Sequence, residues 1–525
     1  MSIDGLKKLI YNNILKLIIA IFVIELLSLI SFRTAILSGI FFILIAIAVL
    51  LFTLYKLEYG LLIALIELMI GSYGYLFYLQ LPGFKAPIRL AIFLIVFFVW
   101  LFKYFQARDF FNLLKKDRLV QNFILLIAFL GIGFINGLLH HNGLANTFFD
   151  LNGYLYFGLF FVFLEVFKNG KQIINFLKIL IASLIYVSLK IFITLYFFSH
   201  GFLNTSDLLY HWIRDTRVGE ITYAGANFFR IFFQSQIWGL MGIFIILTII
   251  ISVIIRRSDL QITSSAWQRK KRFKILSPEE DNHDCLLRWH WLFLILIITQ
   301  TSILISFSRS FWLGEIAGFL VLFVYLIFKE RLKLKKLAQI LGIVISSGII
   351  SIVLLISIAN FPIPKPSSEL ALLLFKDRFT AFFGEAGVSS RWNQLPILTA
   401  QIKKAPILGT GFGTSLTYKS NDPRIKNEQN PEGWYTTYTF EWGYLDTITE
   451  IGILGLLVYL FFIGQIFYLG IKSLVIQEFK WLNLGFLMGL IVLLAVNMFS
   501  PYLNHPLGIG YLMLCTAIFS IKKDK

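Results

Sequence analysis

Apolar stretches of about twenty residues recur along this chain, separated by short runs that carry Lys, Arg and Gly. Each stretch is long enough to cross a hydrocarbon core of about 30 Å as a helix, the form in which a spanning segment satisfies its own backbone. The pattern predicts about fourteen spans, over residues 15–32, 36–55, 59–79, 87–103, 119–138, 145–167, 173–199, 235–255, 291–307, 311–328, 338–359, 448–471, 481–499 and 506–521. Lys16 and Glu25 interrupt the first. The Lys7-Lys8 start is like a signal-peptide n-region, but no small-residue cleavage site follows, so a retained anchor is expected. The fold class is therefore all-α and polytopic, with one long, partly helical polar loop at 360–447. This divides the chain into N-terminal transmembrane helices (1–199), central helices (200–359), the loop (360–447) and C-terminal helices (448–525).

Orientation follows from the short loops. With both termini cytoplasmic, the inside holds Lys103, Arg108, Lys115, Lys116 and Arg118, then Arg256, Arg257 and the cluster Arg269-Lys270-Lys271-Arg272, then Lys329 to Lys336 and the tail lysines. The short outside loops hold only Arg33, Lys85, Arg214, Arg217, Arg230 and Arg309. The 360–447 loop is thereby expected on the extracytoplasmic face. The segment 256–290, basic and then acidic, reads as a flexible cytoplasmic linker.

Composition agrees: 58% of residues are hydrophobic and 14% charged. The net charge of +18 is accounted for by the positive-inside signal and attraction to anionic headgroups, which leaves nucleic acid out as a partner. Cys285 and Cys515 fall in a cytoplasmic loop and the last span, and neither suggests a disulfide or metal site. None of the seven histidines has metal-ligand spacing, and no phosphate-loop, dinucleotide, zinc-protease or serine-hydrolase motif occurs. Neither metal nor cofactor is expected.

The chemistry concentrates at one face. A segment of roughly ninety residues without a role would be unusual in such a chain. Leu370 to Phe379 reads as an amphipathic helix on the membrane. Ser390 reads as the N-cap of a helix from Arg391 to about Lys404, with Trp392, Leu395, Leu398 and Ile402 on one face, stopped by Pro406. Gly409, Gly411 and Gly413 supply a turn where positive φ lets backbone approach a ligand.

Arg309, between serines at a helix end, is costly beside hydrocarbon unless it snorkels or meets an anion, and a guanidinium fork suits phosphate. Arg391 opposes its helix dipole, which favours a ligand role over a merely solvated charge. Arg214, Arg217 and Arg230 form a third basic group. Glu441, between Phe440 and Trp442, reads as a partly desolvated carboxyl suited to accept a proton; the alternative is a carboxylate stabilised at a helix N-terminus. Asp446, Glu450 and Glu220 are weaker candidates, while Glu67, Asp150 and Glu315 read as paired structural polars.

Three pieces together resemble the O-antigen ligase and O-antigen polymerase superfamily of bacterial membrane glycosyltransferases. They are Ser308-Arg309-Ser310-x-Trp312; Arg391-Trp392 leading through Ala400 to Pro406-Ile-Leu-Gly-Thr-Gly-x-Gly; and Gly443-Tyr444-Leu445 through Glu450-x-Gly452-x-x-Gly455. The resemblance covers roughly residues 200–470. It implies transfer of an undecaprenyl-pyrophosphate-linked glycan to a glycan or lipid acceptor at the outer face of the cytoplasmic membrane, without a metal. The polymerases extend the glycan; the ligases join it to lipid A-core. The arginines that bind the leaving pyrophosphate correspond to Arg309 and Arg391. Glu441 is the candidate catalytic carboxyl beside them, unless the acceptor differs or no base is needed, and Arg217, Arg230, Trp312, Tyr444 and the three glycines are candidate substrate-binding residues. Family ligases carry a His-Asn pair where this chain has Glu441 and Trp442, which shifts the expectation toward a polymerase or exopolysaccharide enzyme. A polysaccharide transporter or lipid-linked-oligosaccharide flippase is the alternative of another class, and would favour helices broken at mid-membrane.

Overall fold

The computed structural model describes residues 3–105, 118–225, 228–267, 278–361, 386–421, 425–475 and 479–521. It is predominantly helical. Among the described residues, nine helices are long and apolar enough to cross a membrane, and three shorter apolar ones run over His290–Ile305, Lys480–Val496 and Pro506–Phe519. The chain is thus multi-pass. The expected helix over Leu370–Phe379 lies outside the described residues.

The helices differ widely in how much of each is buried. Gln236–Ile255 lies at the centre, with 78% of its apolar stretch buried, packed against Lys480–Val496 and the helix Pro278–Ile305. Every residue from Leu507 to Phe519 is buried as well. Ala35–Tyr55, with only 17% of its stretch buried, presents Ile36, Leu44 and Leu51 outward at the periphery. The helices that flank the expected linker are longer than their spans, reaching Trp267 on one side and starting at Pro278 on the other.

Two expected spans are modified. The helix beginning at Leu57 ends at Ile70, not at residue 79. Ser72 and Gly74 take positive φ and turn the chain into an antiparallel hairpin, Tyr78–Leu81 with Phe84–Pro87. Pro82-Gly83 makes its turn, with Gly83 at φ +86°, the geometry a proline-glycine pair favours. The expected span 145–167 is composite, Leu144–Leu151 and Phe160–Val166 joined by a 3-10 stretch, Asn152–Leu159. Segment 200–234 holds a helix, Leu203–Asp215, and a second hairpin, Gly219–Gly225 with Phe228–Phe233. A third hairpin pairs Leu416–Lys419 with Trp434–Thr437.

Several charged side chains inside the helical body meet an opposite charge or a hydrogen-bond donor, which offsets the cost of burial in an apolar medium. Glu25 accepts from Lys190 Nζ at 2.6 Å and from the Tyr186 hydroxyl at 2.9 Å, which explains how the first helix tolerates it. Glu67 meets Arg89 through two bonds, 2.7 and 3.0 Å, and Glu315 accepts from the Gln300 amide at 2.8 Å. Since removing one partner strands the other charge, Glu25→Ala and Lys190→Ala should each destabilise the protein by about 3–5 kcal/mol. The double change Glu25→Leu/Lys190→Met should recover most of that loss, read as thermal unfolding in detergent.

Candidate functional site

The polar loop is built on a helix, Ala386–Lys404, that begins before the expected start. Ser390 is consequently not an N-cap. Its Oγ accepts from the Asn421 backbone amide at 2.9 Å and lies 3.1 Å from the Ser420 hydroxyl, tying the helix to the end of the third hairpin. The buried stripe is Ser390, Gln394 and Leu398, at i, i+4, i+8; Trp392, expected on one face with Leu398, is half-exposed. Gln394 donates to the Tyr418 hydroxyl (3.0 Å) and accepts from the Glu441 amide (3.3 Å), joining helix, hairpin and the far end of the loop. The helix does end at Lys404, just before Pro406.

The glycine turn goes somewhere definite. Gly409, Gly411 and Gly413 all take positive φ, as expected, but the backbone they approach closely is the protein's own. A Cβ on Gly411 would lie 2.0 Å from Gly137 N, and one on Gly413 2.5 Å from Thr147 N. Residues 406–414 are threaded between the helix Arg118–Leu139, the start of Leu144–Leu151 and the re-entry helix Gly443–Ser473. The Asn142 amide donates to the Thr410 and Phe412 carbonyls (3.1 and 2.9 Å), and Phe412 N to Gly133 O (3.1 Å). The re-entry helix is broken at Gly452, φ 73°, a conformation for glycine alone. The amides freed there, Ile453 and Leu454, donate to the carbonyls of Pro406 and Ile407. Thr410 N takes the carbonyl of Thr449 at 2.9 Å.

Behind this turn lie three carboxyl groups from two helices. Asp446 and Glu450, four residues apart on one buried face, look toward Asp150. Gly413 N donates to Asp150 (2.7 Å), the Tyr154 hydroxyl to Glu450 (2.7 Å) and the Asn504 amide to Asp446 (2.9 Å). Asp150, read as a structural polar, thus anchors the turn, and the weaker candidates Asp446 and Glu450 are buried behind it. No group of three or more His, Cys, Asp or Glu that could hold a metal ion occurs among the described residues.

The arginines come together in front of the loop helix. Arg391 pairs through Nε with Glu441, while Trp442 Nε1 donates to the Arg391 carbonyl at 2.9 Å. Trp442 sits between Trp392 and Phe499, ring centres 5.5 and 5.4 Å away. Arg230, from the second hairpin, donates through Nε to Ser306 O at 2.8 Å. Arg309 opens the helix Arg309–Phe328, after a turn in which Phe307 takes φ +47°. Hydroxyls of Ser308, Ser310 and Ser500 follow one another at 3.0 Å beside it.

Burial first, and then the neighbouring charges of Arg230 and Arg309, push the Arg391 guanidinium down to about 10. It remains protonated at neutral pH, but three cations from three separate segments repel one another there. Glu441, expected to be partly desolvated, is 45% exposed on its side chain and ion-paired with Arg391.

The remaining expected residues sit elsewhere. Arg217, at φ +52°, lies over the Tyr75 ring at 4.8 Å, and its charge reaches Tyr438 of the loop. Trp312 packs against Phe307 at 6.0 Å, and the Tyr444 hydroxyl donates to Leu494 O at 2.9 Å. Sequence reasoning does not find Asn142 and Asn136, because contacts some 270 positions apart leave no local pattern. A hint for Asn142 exists in the turn His141-Asn142-Gly143, where both flanking residues take positive φ.

A loop fastened into a multi-pass helical body brings Arg391 near Arg230 and Arg309 and, among the described residues, pairs it with the Glu441 carboxylate. Residues 292–460, which contain Arg309, Arg391, the glycine turn, Glu441 and Gly452, match the family model described as O-antigen ligase. Through that segment the chain is similar to the O-antigen ligase family. No curated protein and no solved structure matches the chain.

The glycine turn offers a direct check. Gly411→Ala adds about 1–2 kcal/mol of left-handed backbone strain to a clash with Gly137. It should release residues 406–414, seen as faster hydrogen exchange in that peptide, and lower activity although no arginine is altered.

Proposed function

We propose that this protein is a membrane glycosyltransferase that takes an undecaprenyl-pyrophosphate-linked glycan as donor and transfers it at the extracytoplasmic face of the cytoplasmic membrane. The observation that carries the reading is the convergence of Arg230, Arg309 and Arg391. Three guanidinium groups near one another attract a multiply charged anion more strongly than any one of them alone. Cleaving the bond between the sugar and the diphosphate builds negative charge on the leaving group. Guanidinium groups already in position stabilise that charge without reorganising. Arg309 and Arg391 are the residues we assign to the diphosphate, with Arg230 beside them. The cations supply the charge that a metal provides in other phosphate sites, so transfer should continue unchanged in excess EDTA; its abolition would hand that role to a metal ion.

Polymerisation is favoured over ligation to lipid A-core. The position that holds a histidine in family ligases is Glu441 here, and that residue is engaged by Arg391. A flippase or transporter shares one feature, the helix broken at Gly452, but here the freed backbone groups are bonded by residues 406–410 of the same chain.

Arg309→Ala and Arg391→Ala should each lower transfer by about a hundredfold, the effect of removing one preorganised donor from a charge-stabilising site. The readout is surface glycan chain length. Short or absent chains, with lipid-linked units accumulating on the outer face, support the reading; units trapped on the cytoplasmic face would replace it with a flippase.

A further inference from the structure

The ion pair between Arg391 and Glu441 occupies a group that the donor needs. Resting on the function proposed above, we infer that this pair is a latch opened by the donor: the diphosphate takes the Arg391 guanidinium, and Glu441, released, becomes the base for the acceptor hydroxyl.

Three observations support it. First, the pair uses Nε of Arg391 alone, and the two terminal amino groups have no protein partner among the described residues. A guanidinium presents its donors as a fork that fits two phosphate oxygens, and a diphosphate brings more charge than a single carboxylate. With Arg230 and Arg309 beside it, the site has a reason to exchange one anion for the more highly charged one.

Second, both backbones are pinned independently of the pair. The Glu441 amide is held by Gln394 and the Arg391 carbonyl by Trp442, so the two side chains can change partners while the loop stays in place. Third, both side chains reach solvent, Arg391 at 31% and Glu441 at 45%, as exchange with an incoming ligand requires.

The chemistry then has an order. While paired, Glu441 has its charge and lone pairs committed and accepts a proton poorly. Once the diphosphate occupies Arg391, the free carboxylate takes the proton of the acceptor hydroxyl as that oxygen bonds to the anomeric carbon. The bond from the anomeric carbon to the diphosphate oxygen breaks, and its electron pair leaves on the lipid diphosphate, where the arginines meet the charge. Glu441 ends protonated and returns the proton to water. No activated base exists before the donor is bound, which protects the acceptor site from unproductive proton transfer.

The test is binding of inorganic pyrophosphate to the purified full-length protein in detergent, with glycan transfer measured alongside. Glu441→Gln and Glu441→Ala remove the competing charge and should tighten pyrophosphate binding by roughly threefold to fivefold, the range of a partly exposed ion pair, while transfer is lost. Unchanged or weaker binding in both folded variants overturns the latch and makes Glu441 a support for Arg391. Tighter binding with full transfer overturns its role as base. Arg391→Ala separates the two readings. If it leaves pyrophosphate binding intact, the site assignment itself fails; if it weakens binding while Glu441→Gln does not tighten it, only the latch does.

Discussion

Everything at the site depends on how the break at Gly452 is repaired. In a helix, the carbonyl of Thr449 would accept from the amide of Ile453, and a reversal of φ at Gly452 removes that bond. In hydrocarbon, each group left unpaired is expensive. The loop supplies both halves: Thr410 N takes the Thr449 carbonyl, and Pro406 O takes the Ile453 amide. The helix is thus completed by a strand of chain more than forty positions earlier. That splice holds the glycine turn, the turn sets where the helix Ala386–Lys404 ends, and this helix carries Arg391. Glycines 409, 411 and 413 are needed because any side chain would stand where neighbouring backbone already lies.

A second constraint is the mutual repulsion of the arginines. Three guanidinium groups on one flexible segment would spread apart. Here each is mounted on a different element: Arg230 bonded to the Ser306 carbonyl on a hairpin, Arg309 at a helix start, and Arg391 on the loop helix pinned through Ser390 and Gln394. The folding of the helical body, with pairs such as Glu67–Arg89 and Glu25–Lys190 buried inside it, holds these elements against the repulsion. On the function proposed above, such preorganisation means that the guanidinium groups need not move when the donor binds.

Much of this is legible in the chain, and the misses have physical reasons. The hydrophobic period locates the helical body, and the cost of a charge at a membrane edge singles out Arg309 from its sequence context alone. Pro82-Gly83 has the chemistry of a turn, yet the apolar character of residues 71–79 hides the end of the helix inside an apparent span. Ser390 has the chemistry of an N-cap, but the helix starts at Ala386, and the hydroxyl serves a tertiary contact instead. The glycine triplet correctly signals positive φ and close approach; what it approaches depends on Asn142 and Gly137, which local spacing cannot reveal. Glu441 stands out by its aromatic neighbours, while its pairing with Arg391 is set by a fold that brings positions fifty residues apart together.

The hairpin of Leu416–Lys419 with Trp434–Thr437 has a consequence for how such a protein can diversify. Its four paired positions, and the bond from Ser420 N to Gly433 O at 2.7 Å, bring the two ends of the intervening stretch side by side. The chain enters and leaves that stretch through one closed doorway. The glycine splice and Arg391 lie on one side of it, and the described residues 425–432 on the other. An excursion closed at its base can change in length and composition without passing strain inward. Length and sequence can therefore drift beyond the doorway while the splice and the loop helix behind it keep their places.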